Sequence, residues 1–162
     1  MPIQESRGPM TAAQRRYLAV ETVIGATINA ILSAAFVFIV FGGHATVPVW
    51  GPGGLVLDAV PQTLMVSLMS MLVPGLLTRK RLIAGKVNGA ALATVGTIVR
   101  RSILVAVLLA GALTGLQSVL FSFGPPRLTF GVVLAAKVLY GAILGAAVAG
   151  YGVRRLLVGV TA

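Results

Sequence analysis

Long apolar runs alternate with short clusters of basic residues or of Gly and Pro along the chain. The run 18–41 is 24 residues long. A bilayer core of about 30 Å takes roughly 20 helical residues, so this run can span it. Further runs follow at about 60–77, 103–123 and 128–153. The pattern predicts an all-α membrane protein, a bundle of four transmembrane helices.

The segments between the runs differ in character. Residues 1–14 are polar and hold Pro2, Gly8 and Pro9, which predicts a disordered cytoplasmic tail ahead of a single transmembrane domain, 15–162. Residues 42–59 are rich in Gly and Pro and read as a loop. Val47, Val49, Leu55 and Leu57 make that loop too apolar to be freely solvated, so it is expected to lie on the membrane or fold back over the bundle. Trp50 suits the membrane interface. Pro61 is expected in the first turn of the second helix, where its missing N–H costs nothing, and Pro74 should disturb that helix near its end. Residues 82–99 mix Lys86 and Asn88 with small residues, and a short helix along the membrane face is expected there. Gly124-Pro125-Pro126 predicts a tight turn.

Polar residues inside the runs recur at helical spacing. Glu21, Gly25, Asn29 and Ser33 form one stripe. Thr63, Ser67, Ser70 and Pro74 form a second, and Gly111, Thr114, Gly115, Ser118 and Ser122 a third. Lys137, Gly141 and Gly145 form the fourth. Such faces turn away from lipid. Two readings fit the same spacing. In one, Glu21, Asn29, Ser33, Ser67 and Lys137 line a polar path. In the other, Gly25, Gly111, Gly115, Gly141 and Gly145 let helices approach closely, and the polar groups bond across them. Asn29 is the expected neighbour of Lys137 at mid-membrane. Glu21 is expected to pair with Arg15, Arg16 or another basic cluster. Asp58 is expected to cap the second helix, where the helix dipole favours an acid.

Charge sets the orientation. The chain carries 13 Lys+Arg against 3 Asp+Glu, a net charge of +10. In a soluble protein that excess would suggest nucleic acid. With only 10% charged residues the surface must face lipid, and no nucleic-acid partner is expected. The basic residues instead flank the apolar runs. With the N-terminus inside, Arg7, Arg15, Arg16, Arg79, Lys80, Arg81, Lys86, Arg100, Arg101, Arg154 and Arg155 are cytoplasmic and Arg127 is outside. The positive-inside rule selects that orientation, both termini cytoplasmic, with anionic lipid as the partner of the basic face. A bacterial inner membrane is expected from the short loops and the composition.

The basic pairs also hint at duplication. Arg15-Arg16-Tyr17-Leu18 resembles Arg100-Arg101-Ser102-Ile103, and Lys80-Arg81-Leu82-Ile83 resembles Arg154-Arg155-Leu156-Leu157. The two hairpins are therefore candidates for a parallel internal repeat.

Catalytic chemistry is not expected. There is no Cys, the single His44 lies in a loop, and Gly-x-Ser-x-Gly does not occur. The acids and the one His are too few for a metal site, so no catalytic residue, metal or cofactor is assigned. Four spans with a glutamate in the first resemble small multidrug exporters, but the chain is longer and carries no further motif of that family. The sequence leaves two functions. One is a structural or accessory subunit packing with itself or a larger membrane complex. The other is a small transporter or channel, a homo-oligomer with a path lined by Glu21, Asn29 and Lys137.

Overall fold

A computed structural model describes residues 10–89 and 93–158. Four helices dominate: α1 (Ala12–Phe41), α2 (Leu55–Ile83), α3 (Val95–Ser122) and α4 (Phe130–Val158). All four are long and apolar enough to cross a membrane. The chain is an integral membrane protein. Each helix runs past its predicted span at the end that carries the basic residues, because apolarity marks the lipid-crossing part while hydrogen bonding continues beyond it; at the other end α3 stops at Ser122 and α4 starts at Phe130, just inside the predicted spans.

Local chemistry sets the ends. Thr11 caps α1, its hydroxyl accepting from the Gln14 N–H while the Gln14 side chain accepts from the Thr11 N–H. That reciprocal pair starts the helix at Ala12, so residues 12–14 belong to α1 rather than to the tail. The rest of the tail, 1–9, lies outside the described residues. Helix α2 starts at Leu55 behind a tight glycine turn in which Gly51 and Gly53 adopt φ of +86° and +74°. Pro61 consequently sits within α2, beyond its first turn.

The loop after α1 folds back over the bundle. A three-residue strand β1 (Thr46–Pro48) pairs antiparallel with β2 (Arg127–Thr129), which precedes α4. The Val49 N–H donates to the Pro126 carbonyl at 3.0 Å and the Phe130 N–H to that of Ala45 at 3.1 Å. Val47 and Val49 are fully buried and join Val37, Phe41, Leu55 and Val133 in an apolar cluster. This clasp ties the two hairpins together at one end of the bundle, called here the strand end.

At the opposite, basic end, α2 and α3 are joined by residues 84–94. The described part of this segment is turn and extended chain, with no separate helix; residues 90–92 lie outside it. The N–H groups of Ala84, Gly85 and Lys86 donate back to carbonyls of α2, and two carbonyls of the segment accept from side chains. Arg79 Nε donates to the Ala93 carbonyl, and Gln14 Nε2 to that of Asn88, each at 2.9 Å.

Packing does not follow chain order. Helix α1 lies against α4, α2 against α3, and α2 against α4. The centre is therefore α2 and α4, with Val66 and Met71 meeting Leu144 and Val148 along their seam. Helices α1 and α2 meet mainly through polar side chains.

Candidate functional site: the buried polar column

Three of the four stripes turn inward together. Glu21, Gly25, Asn29 and Ser33 are buried on α1, Thr63, Ser67, Ser70 and Pro74 on α2, and Lys137, Gly141 and Gly145 on α4. They form a polar column through the bundle with an ion pair at each end.

At the basic end, Glu21 accepts from Arg81, a member of the cluster after the second span. Arg81 also donates to the Tyr17 hydroxyl at 2.9 Å and stacks over its ring, 5.3 Å from the centroid. Tyr17 in turn bonds to Thr78 at 3.0 Å. Of the partners expected for Glu21, the neighbouring basic cluster supplies the one observed.

Midway, Asn29 Nδ2 donates to the Gly25 carbonyl at 2.7 Å and to Ser70 Oγ at 2.8 Å. Such a bond between helices contributes about 0.6–2 kcal/mol in a membrane. Higher, Gln62 Nε2 donates to Ser33 Oγ at 3.2 Å. The Thr63 hydroxyl meets that of Tyr140 and donates to the Ala59 carbonyl. Ser67 Oγ is fully buried and has no hydrogen-bond partner among the described residues.

At the strand end, Lys137 Nζ donates to Asp58 and, at 2.8 Å, to Gln62 Oε1. The amine also stands 5.7 Å from the centre of the Phe41 ring. This corrects two expectations. Asp58 does not cap α2, whose N-cap is Gly54; it lies in the first turn and turns its carboxylate to Lys137. Asn29 is not the partner of Lys137, because its amide is held by α1 and Ser70. The reason is reach: the lysine stem extends toward the helix N-terminus, where Asp58 sits, rather than toward mid-membrane. Asp58 and Gln62 are four apart on α2, a spacing that could have signalled a shared polar face.

The glycines divide into two groups. A Cβ on Gly141 would strike Ser33, and one on Gly145 would strike Asn29. On Gly25 it would come within 3.1 Å of the Ala149 Cβ. These three bring α1 and α4 together. Gly111 and Gly115, also expected to pack helices, stand in open space. Helix α3 buries Ile98, Ser102, Ala106 and Ala110 instead. Toward the strand end Gly115 and Ser122 of its stripe are exposed and Thr114 and Ser118 half-buried; Ser118 and Ser122 bond back to carbonyls of their own helix at 2.8 Å, while Thr114 Oγ1 is buried with no partner among the described residues. Beside it, α3 and α4 border a cleft of about 800 Å³ lined by Leu113, Leu120, Leu128 and Ile143, with Gln62, Gln117, Lys137 and Tyr140 on its wall.

The fold and its interior define the class: a four-helix integral membrane protein with a hydrogen-bonded polar core. Comparison of the chain with protein-family models, curated proteins and solved structures gave no match.

Proposed function

We propose that the chain is a structural or accessory membrane subunit without catalysis, packing through its helices with itself or with a larger complex. The observation that carries this reading is the pairing of the column's polar groups with one another, Ser67 excepted. Gly141 and Gly145 press their backbones onto Ser33 and Asn29, and Glu21, Asn29, Ser33 and Lys137 use their hydrogen bonds on partners within the chain. Groups so engaged hold helices together. The test is mass determination of the intact particle, purified in gentle detergent or nanodiscs from its host. A defined complex containing other proteins is expected; a bare monomer overturns the reading.

A second reading, a small solute or ion transporter acting as a homo-oligomer, is favoured by the two ion pairs at opposite ends of one polar column. In proteoliposomes Glu21→Gln and Lys137→Met would then leave the protein folded and remove flux. An accessory subunit would instead keep its assembly until it misfolds.

The proposed setting is a bacterial inner membrane, with both termini and the basic end in the cytoplasm beside anionic lipid. Arg79, Lys80, Arg81, Lys86, Arg100 and Arg101 flank one connection, and Arg127 sits on the clasp opposite, which supports that orientation. The two hairpins are proposed as a parallel repeat. Buried Thr63, Ser67, Ser70 and Met71 shift by 74 residues onto buried Lys137, Gly141, Leu144 and Gly145. Buried Glu21 and Gly25 shift by 85 onto Ala106 and Ala110. The exchange of partners, α1 on α4 and α3 on α2, also supports it.

A further inference from the structure

We propose that Arg101 and Arg155 hold the phosphate group of one anionic lipid in a cleft at the basic end. The inference rests on the reading that sets this end beside anionic lipid, and narrows a charged face to a single site.

Sequence and helical rotation place the pair. Arg100-Arg101 and Arg154-Arg155 flank the apolar runs of α3 and α4. Successive residues on a helix point about 100° apart, so the two arginines of a pair do not share a face. Arg100 and Arg154 are exposed. Arg101 and Arg155 are half-buried and line one cleft, together with Gly75 of α2 and Thr97 of α3. Marking the edge of a span asks only for charge in water, which Arg100 and Arg154 supply. Topology therefore does not account for the inward turn of their neighbours.

Charge balance asks for an anion. Two guanidinium cations on one half-buried cleft repel each other. The acids among the described residues are Glu21 and Asp58, and these are held by Arg81 and Lys137. The Arg155 guanidinium lies 5.3 Å from the centre of the Tyr151 ring, a contact that leaves its charge in place. Arg79 adds a third cation beside the cleft: its Nε donates to the carbonyl of Ala93, which is part of the wall. Thr97 belongs to the first turn of α3, where the positive end of the helix dipole adds to the same sign.

Chemistry and depth name the ligand. Guanidinium forks bind phosphate through paired hydrogen bonds. At the edge of the hydrocarbon the phosphates at hand are those of lipid headgroups. The remaining wall includes Met71, Ile98 and Leu156 and is apolar. That suits the glycerol and first methylenes of a lipid better than a hydrated phosphate ion.

The probe is dioleoyl phosphatidylglycerol, set against dioleoyl phosphatidylcholine, whose choline cancels the phosphate charge, and against inorganic phosphate. The full chain, delipidated in detergent, is titrated with each and read by native mass spectrometry. One phosphatidylglycerol is expected to bind more tightly than any further copy and more tightly than phosphatidylcholine. Arg101→Gln and Arg155→Gln should each weaken it about tenfold, through loss of hydrogen bonds to a charged partner. Arg100→Gln and Arg154→Gln remove the same charge from exposed positions and should leave that lipid in place. Arg101→Lys and Arg155→Lys keep the charge without the fork and should restore only part of the affinity; they also carry the test if a glutamine variant fails to fold. If exposed and cleft variants weaken binding equally, the site is overturned while the reading of a basic face beside anionic lipid stands. If the unaltered chain binds phosphatidylcholine as tightly as phosphatidylglycerol, both are overturned. Displacement of the lipid by an equal concentration of inorganic phosphate would make the ligand a free anion and overturn the lipid assignment.

Discussion

At the scale of the residue, the buried lysine decides most. An unpaired charge in a membrane helix costs about 2.5–3.5 kcal/mol on insertion scales, and the Lys137 side chain is only 8% exposed. Asp58→Leu removes its counter-charge and should lower stability by about 3 kcal/mol in a detergent unfolding titration. Lys137→Met alone should cost less, because the Asp58 side chain is 19% exposed and keeps some solvation. The two together should cost less than the sum of the singles, the mark of a direct pair. The glycines give a second contrast. Gly141→Val drives a branched side chain into Ser33 and should cost about 1–3 kcal/mol. Gly111→Ala enters open space and should gain up to about 1 kcal/mol of helix propensity. Much of this scale was legible beforehand. Four-residue spacing alone put Glu21, Asn29, Ser33 and Lys137 on inward faces. The pairing of Lys137 was not, because Asp58 stands 79 residues away and reads locally as a helix cap.

At the scale of the element, hydropathy located the four helices, since length and apolarity are what a bilayer demands of a span. The short strands were invisible. Three residues carry no period, and Thr46–Pro48 forms a strand because Arg127–Thr129 lies opposite. Their register is open to test in a chain without cysteine. Thr46 faces Thr129, and directly opposed residues in an antiparallel pair have Cα atoms about 4.5–5.5 Å apart, within disulfide range. Oxidation of the Thr46→Cys/Thr129→Cys pair should give one cross-linked species, detected after proteolysis between the hairpins. Thr46→Cys/Arg127→Cys, two positions out of register, should stay reduced. Within the chain, Gly111 and Gly115 of the α3 stripe meet no facing helix, and spacing could not show that. Small and hydroxylated residues suit a packed face, but Ser and Thr can also satisfy themselves on their own helix, and Ser118 and Ser122 do so.

At the scale of the whole molecule, partner choice was beyond sequence reading, because an apolar stripe does not name the helix it meets. Orientation is the property open to direct measurement. With the basic end in the cytoplasm, Gly124→Cys should react with a membrane-impermeant thiol reagent on intact cells, and Lys86→Cys only after lysis. The reverse result would invert the assignment. Partner exchange also has a consequence for biogenesis. The principal neighbour of α1 is α4, whose first residue is translated 118 positions later than that of α1 (130 − 12). At ordinary elongation rates α1 waits roughly 6–24 s for it. In the finished bundle Arg81, Ser70 and Gln62, all on α2 and translated before α4, are the partners of Glu21, Asn29 and Ser33. The polar flank of a newborn α1 therefore has its partners in the next helix made, before the last one is inserted.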